Sequence, residues 1–337
     1  MSELRLDVSL KEFNTFGFDV KARKYFSFAG VEELRKGIKQ ISPPYLVLGG
    51  GSNFCLTKDI EATVLHNKIK GIEIISEKND SIVVRVGAGE VWHDFVLWAI
   101  AHDYGGIENL SLIPGTVGAA PIQNIGAYGV EIKDVFVSLE ALDLRTGEVV
   151  TFSREDCQFG YRDSIFKGNS KGKYIITTVD IILTRPPHTL HTSYGAISNR
   201  LEAMGVSEPS IADISQAVIA IRSSKLPDPA NIGNAGSFFK NPVIDRVHYE
   251  RLKAQYPDIV AFMQADGLVK VPAGWLIEKA GWKGKRRGQV GCHKDQSLVL
   301  VNYGGGSGAD IQTLAQDIKT DIHHKYGIML QEEVNII

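Results

Sequence analysis

Ser237 stands in Asn234-Ala-Gly-Ser-Phe-Phe-Lys-Asn-Pro242, behind a glycine and ahead of two aromatic residues, a setting that would present a reactive hydroxyl. A hydrolase nucleophile would sit in G-x-S-x-G between a strand and a helix, and the second glycine is missing. The hydroxyl therefore has another task, or is a turn hydroxyl bonded to nearby backbone. Leu48-Gly-Gly-Gly-Ser-Asn53 is a second candidate. Its backbone N–H groups could turn inward as an anion-binding nest, with Ser52 and Asn53 adding side-chain donors. A dinucleotide pyrophosphate would fit there, and a plain tight turn accounts for the same glycines. The motif is not G-x-G-x-x-G, because Phe54 stands where a glycine is required, and no Lys follows to make a Walker loop.

The run Glu108-Asn-Leu-Ser-Leu-Ile-Pro-Gly through Ile132 is small, apolar or amide almost throughout, with no charge between Glu108 and Glu131 and with Gly115, Gly118, Gly126 and Gly129 spaced along it. Such a run suits backbone packed against a large flat ligand, an isoalloxazine ring being one candidate. A buried irregular connection is the alternative, although a loop this long without a function is uncommon in a compact domain. Three charged groups are scattered. Arg162, in FGYRDSIFK, reads in isolation as an ion pair with Asp163, and Glu332 and Glu333, in LQEEVNII, read as a solvated end.

The elements that must position these residues alternate between helix and strand. Residues 31–40 and 214–225 have the spacing of amphipathic helices, as do Trp92, Phe95, Val96, Ala99 and Ile100, whose aromatics suit a core better than a site. PYLVLGGGSN (44–53) and SIVVRVGAG (81–89) read as strands running into glycine, 139–152 as a hairpin turning at Arg145–Glu148, and 173–184 as an alternating strand. Pro227 and Pro229 end the helical pattern, and a domain boundary is expected there. Beyond it come a helix near 245–255, a strand at 297–303 and a final helix over 310–326. Tyr303-Gly-Gly-Gly-Ser-Gly308 lacks the P-loop lysine and reads as a turn capped into that helix by Ser307 or Asp310.

With 337 residues, 44% apolar and 23% charged, the chain can bury a large core divided among two or three domains. A net charge of -2 offers no nucleic-acid surface and no polybasic membrane attachment. The start MSELRLDVSLKEF has no apolar core flanked by basic residues, and no run approaches the about 18 apolar residues of a membrane span, so a cytoplasmic location is expected. Cys55, Cys157 and Cys292 are an odd number, far apart and without C-x-x-C spacing, which suits reduced structural thiols and no metal site.

NTFGFDV (14–20), LGGGSN, ENLSLIPGTVGAAPIQNIGAYGVEI, FGYRDSIFK, KLPDP (225–229), GNAGSFFKNP, AGWLIEKAG (273–281) and LQEEVNII together resemble the UDP-N-acetylenolpyruvoylglucosamine reductases, flavoenzymes of bacterial peptidoglycan precursor synthesis. The resemblance spans nearly the whole chain. HTSYGAISNRL is similar to the tyrosine-bearing loop of the family's first type. What the resemblance implies is an α/β fold of the vanillyl-alcohol-oxidase flavoprotein kind. Residues 1–67 and 68–226 would form two FAD-binding subdomains, the second carrying the tyrosine loop near 188–200. Residues 227–320 would bind substrate, and 321–337 would return a glutamate to the site.

The implied reaction is ping-pong. NADPH delivers hydride to non-covalent FAD, and flavin N5 then passes it to C3 of UDP-N-acetylglucosamine enolpyruvate. By position in the motifs, Arg162 would hold the substrate carboxylate with Glu333 as a second, protonated donor, and Ser237 would protonate C2. FAD contacts carry over to Gly49, Gly50, Gly51, Ser52, Asn53, Ile113, Pro114, Gly115, Gly118, Ala119, Gly126 and Arg222, and substrate contacts to Tyr161, Tyr194, Lys225, Asn241 and Gln296. Ala119 and Ala120 stand where hydroxyl residues can occur, so any contact there would be through backbone. The implied partner is a small-molecule substrate, with a monomeric chain, no nucleic acid and no membrane. Two other readings remain open: a related flavin oxidase, which would consume oxygen, and a non-catalytic flavin or nucleotide-sugar binder.

Overall fold

The computed structural model describes residues 3–337, and the chain divides into two compact units. The first comprises the stretch ending at Val8, Ala22–Gly50 and Ile60–Ser224. The second comprises Ser9–Lys21, Gly51–Asp59 and Lys225–Ile337.

In the first unit, the strands Lys21–Phe28 and Tyr45–Leu48 both pair in parallel with Ile60–Asn67. Parallel strands need a crossover, and the helix Val31–Ile38 supplies it, burying Leu34 beside Phe26, Phe28 and Leu65. This helix and strand occur where the periodicity predicts them. A five-stranded antiparallel sheet follows, in the order Val149–Ser153, Phe136–Asp143, Tyr174–Thr184, Ser81–Gly87, Ile72–Glu77. The central strand Tyr174–Thr184 buries Ile175, Ile176, Val179, Ile181 and Leu183, which gives the alternation seen in the sequence only in part because both of its faces are covered. The helix Trp92–Ala101 packs Trp92, Phe95, Val96 and Ala99 into this core, so its aromatics are structural as expected.

The stretch 188–200, expected as a loop, is a loop only to Tyr194; Gly195–Ala203 is a helix. Ile197 and Leu201 pack against Ile214, Ala217, Val218 and Ile221 of the helix Ile211–Lys225, and burying that stripe is what makes the segment helical.

The second unit is built around the helix Gly308–Tyr326, whose Ile311, Leu314, Ile318 and Ile322 meet Phe16, Phe18, Phe238, Leu276 and Leu300. Its start is a capping box. Ser307 Oγ accepts from the Asp310 N–H at 3.2 Å and the Asp310 carboxylate accepts from the Ser307 N–H at 2.8 Å, so both residues named from the sequence take part. Gly233–Ser237 pairs antiparallel with Val299–Asn302, and Val290–Cys292 and Arg286–Arg287 complete that sheet. A three-stranded sheet orders Val243–Ile244, Val269–Lys270 and Phe262–Met263. No helix of the described residues is long and apolar enough to cross a membrane. All three cysteines are free and fully buried, and burial pushes each thiol up to about 12.

Candidate active site

In the first unit, the glycines after Tyr45–Leu48 meet the long small-residue run. A Cβ on Gly49 would lie 2.5 Å from Thr116 Oγ1, and one on Gly50 would lie 3.1 Å from the Cα of Gly115. A side chain at either position would push these two loops apart. Gly115 holds φ +109 and Gly118 packs on Ala88, whose side chain occupies the space a Cβ would need. The run itself closes as short 3-10 turns at Glu108–Leu110, Val117–Ala119 and Pro121–Gln123. Two loops thus meet backbone to backbone, the second held by the Val117 and Gly118 N–H groups donating to Glu90 O and Ala88 O. Such close, small-residue packing fits the approach of a large flat ligand such as FAD.

The entry to Ile113 and Pro114 is clamped. Leu112, at φ +57, donates its N–H to His93 Nδ1 at 3.0 Å and accepts from Arg222 Nε at 3.3 Å. Burial, and after it the Arg222 charge, lowers the His93 pKa against the opposing pull of Asp94, so the ring stays neutral and Nδ1 remains an acceptor. Arg222 is lowered by burial first and also by the Arg162 charge, while the nearby Tyr128 hydroxyl favours its charged form.

Arg162 adopts φ +53 and directs its guanidinium to the carbonyls of Gly126 at 2.5 Å and Asn124 at 3.4 Å, beside the Tyr161 ring. The Asp163 carboxylate accepts from the Ser164 N–H at 3.0 Å. A Cβ on Gly126 would lie 3.1 Å from Arg162 Nη1, so this glycine makes room for the arginine. Asn124, fully buried, ties the loop together. Its amide donates to Gly160 O at 2.9 Å and to Glu131 at 3.1 Å, and its carbonyl accepts from the Lys133 N–H. Arg162, Arg222 and Tyr194 all belong to this unit, and the Tyr194 ring lies edge to face on Tyr128, a residue that the motifs do not single out.

The second unit assembles the other group. Gly236, at φ +70, forms a bulge between Asn234 and Ser237, and Asn234 Oδ1 accepts the Gly236 N–H at 2.9 Å. The bulge delivers Ser237 opposite Val299, with Phe238 and Phe239 buried behind it. Glu333 donates its N–H to Phe238 O at 2.8 Å, and Lys240 donates to Gln331 O at 2.9 Å. Glu332 forms an isolated antiparallel bridge with Phe239 and pairs through its carboxylate with Lys319 at 2.7 Å. The closing strand Asn335–Ile336 runs parallel to Phe54–Cys55, and the Asn53 amide donates to Glu333 O at 3.3 Å. Gly51, at φ +62, lies against Phe13 O, and Ser52 and Asn53 follow it in this unit.

The remaining predicted contacts scatter within the second unit. Asn241 Oδ1 accepts the Ala273 N–H at 3.0 Å, starting the helix Ala273–Lys279. Gln296 sits in the turn before Val299–Asn302, and Lys225 is exposed at the end of its helix. Asn109, Asn124, His93 and Tyr128 went unassigned in the sequence; the only signal for them is that they are amides or rings in or beside a run nearly free of charge.

Residues 228–337 match the family model for the UDP-N-acetylenolpyruvoylglucosamine reductase C-terminal domain, and residues 29–153 match an FAD binding domain. The UDP-N-acetylenolpyruvoylglucosamine reductase of Pseudomonas putida is 54% identical over 332 residues, covering 98% of this chain and 97% of that protein. That of Flavobacterium johnsoniae is 49% identical over 336 residues, covering 99% of this chain and all of the relative. The fold is shared with the crystal structure of the Thermus caldophilus UDP-N-acetylenolpyruvylglucosamine reductase, at a TM-score of 0.69, 22% identity and coverage of 100% and 99%. With full-length relatives at half identity, an FAD-binding domain and the reductase C-terminal domain, the chain belongs to the UDP-N-acetylenolpyruvoylglucosamine reductase family of flavin-dependent enzymes.

Proposed function

We propose that this protein reduces UDP-N-acetylglucosamine enolpyruvate to UDP-N-acetylmuramate with NADPH, in two half-reactions, in peptidoglycan precursor synthesis. The observation that carries the mechanism is the ladder that sets Glu333 against Phe238, next to Ser237. It brings an acid and a hydroxyl from opposite ends of the second unit into one local frame.

FAD, when bound, would supply hydride-transfer chemistry between NADPH and C3 of the enolpyruvyl group. Negative charge then develops at C2 and on the carboxylate of the substrate. Arg162 and Glu333 hold that carboxylate and stabilise the charge, and Ser237 donates its hydroxyl proton to C2, recovering a proton from solvent. Ser237 needs no histidine partner, because it attacks nothing. Gly49, Gly50, Ser52, Asn53, Ile113–Gly115, Gly118, Ala119 and Arg222 hold the cofactor. Tyr161, Tyr194, Lys225, Asn241 and Gln296 hold the nucleotide-sugar, Lys225 acting as a point charge for the diphosphate. We assign the chain to the family's first type and to the cytoplasm, acting as a monomer.

The test is the visible spectrum of the purified holoprotein under anaerobic conditions. NADPH bleaches the flavin band, and adding the enolpyruvyl sugar restores it. A band that returns only with oxygen would replace this reading with an oxidase.

A further inference from the structure

Tyr128 occupies a place that none of the assigned roles accounts for. Its ring meets the Tyr194 ring edge to face, with centroids 5.4 Å apart and planes at 87°. Its ring packs with Leu190 on the cluster formed by the helices Gly195–Ala203 and Ile211–Lys225. Its backbone is left-handed at φ +51, a conformation that a bulky residue adopts only where the surroundings impose it.

Asn109 supplies the constraint. This residue is 1% exposed, and its amide donates to Tyr128 O at 3.2 Å and also to His191 O at 2.9 Å, three residues before Tyr194. One side chain therefore fastens both tyrosine-bearing segments. The Asn109 Oδ1 is buried with no hydrogen-bond partner, a cost that a fold keeps only where the amide nitrogen is needed in that orientation.

We propose that Tyr128 is a positioning residue for the family reaction, seating the Tyr194 segment through its ring while Asn109 holds the Tyr128 backbone in place. The inference rests on the proposed function for the substrate role of Tyr194. An exposed tyrosine heading a short helix would otherwise sample many rotamers before substrate arrives, and a fixed ring beneath it reduces that freedom. Burial raises the Tyr128 pKa despite the Arg222 charge, so its hydroxyl stays protonated through the neutral range.

The experiment is a double-mutant cycle on the holoprotein with Tyr128→Leu, Tyr194→Leu and the double variant. An aromatic pair of this geometry is worth a factor of roughly 2 to 12. Each single change is expected to raise KM for the enolpyruvyl sugar by at least that factor, with the double variant no worse than the weaker single. Flavin bleaching by NADPH stays within about twofold, and Tyr128→Phe, which keeps the ring, restores KM. Additive effects in the cycle would overturn the proposal. So would an equal loss in both half-reactions, which is what a purely structural residue would give. Chymotrypsin cleavage after Tyr194 gives a readout independent of the substrate. Tyr128→Leu accelerates that cut in the folded holoprotein, and an unchanged rate overturns the seating role whatever the protein turns over.

Discussion

Glu333 donates its backbone N–H to the carbonyl of Phe238 at 2.8 Å, so the glutamate is fixed by main chain beside the residue that follows Ser237. Main-chain pairing is a stiffer support than a side-chain contact, because it leaves only the glutamate's own χ angles free. The Phe239–Glu332 bridge and, beyond it, the pairing of Asn335–Ile336 with Phe54–Cys55 tie down the closing segment on both sides of Glu333.

Ser237→Ala removes the proposed proton donor and little else. Substrate turnover should fall by about 10²–10⁴, the usual worth of general acid catalysis, while NADPH still bleaches the flavin at the wild-type rate. Stopped-flow absorbance separates the two steps. Turnover within about tenfold of wild type would remove Ser237 from the mechanism.

Asn124→Ala leaves the Lys133 N–H and the Gly160 carbonyl without their buried partner. A loss of about 1–3 kcal/mol per orphaned group is expected in urea unfolding. Because these bonds hold the turn that orients Arg162, KM for the substrate should rise as well. Stability loss with unaltered KM would show that the Arg162 conformation does not depend on this amide.

Gly51 and Gly236 share a left-handed backbone but differ in surroundings. A Cβ on Gly51 would stand 1.9 Å from Phe13 O, whereas one on Gly236 meets nothing within 4 Å. Gly236→Ala should cost about 1–2 kcal/mol, the conformational penalty alone. Gly51→Ala adds a backbone collision and should cost several times that, with loss of the flavin on purification. Equal denaturation midpoints for the two variants would contradict the close approach at Phe13.

His66 shares a 2.5 Å hydrogen bond with Tyr25, and burial first, then the Lys68 charge, lowers its pKa to about 4. In the unfolded chain the value returns toward 6.5. Below that pH the unfolded state takes up a proton that the folded state refuses. Stability attributable to this site is thus complete above 6.5 and lost as the pH falls from there to about 4. Melting temperatures across that window should fall less steeply for His66→Asn than for wild type, and parallel slopes would refute the assignment.

Local pattern carried much of the architecture. Helices at 31–38, 92–101, 211–225 and 308–326 and the strands ending at Leu48 and Gly87 follow from periodicity, glycine and capping residues, because each is decided within one or two turns of chain. The short strands went unread. Val290–Cys292 and Asn335–Ile336 are too brief to show alternation, and Asn335–Ile336 exists only because Phe54–Cys55, far away in the chain, completes its hydrogen bonds.

The site divides in the same way. Motif order along the chain already identifies the family and its candidate residues, because close backbone approach demands glycine and proton transfer demands a hydroxyl or an acid, whatever the surrounding fold. Tertiary structure decided the rest. It pairs Glu332 with Lys319, sets the Glu333 N–H against Phe238 O, brings the Arg162 guanidinium to the Gly126 and Asn124 carbonyls, and places Tyr128 edge to face on Tyr194. These choices depend on contacts between residues well separated along the chain. A side chain's neighbours at that separation are set by which strands pair and which helices pack, and local residue type carries no record of them.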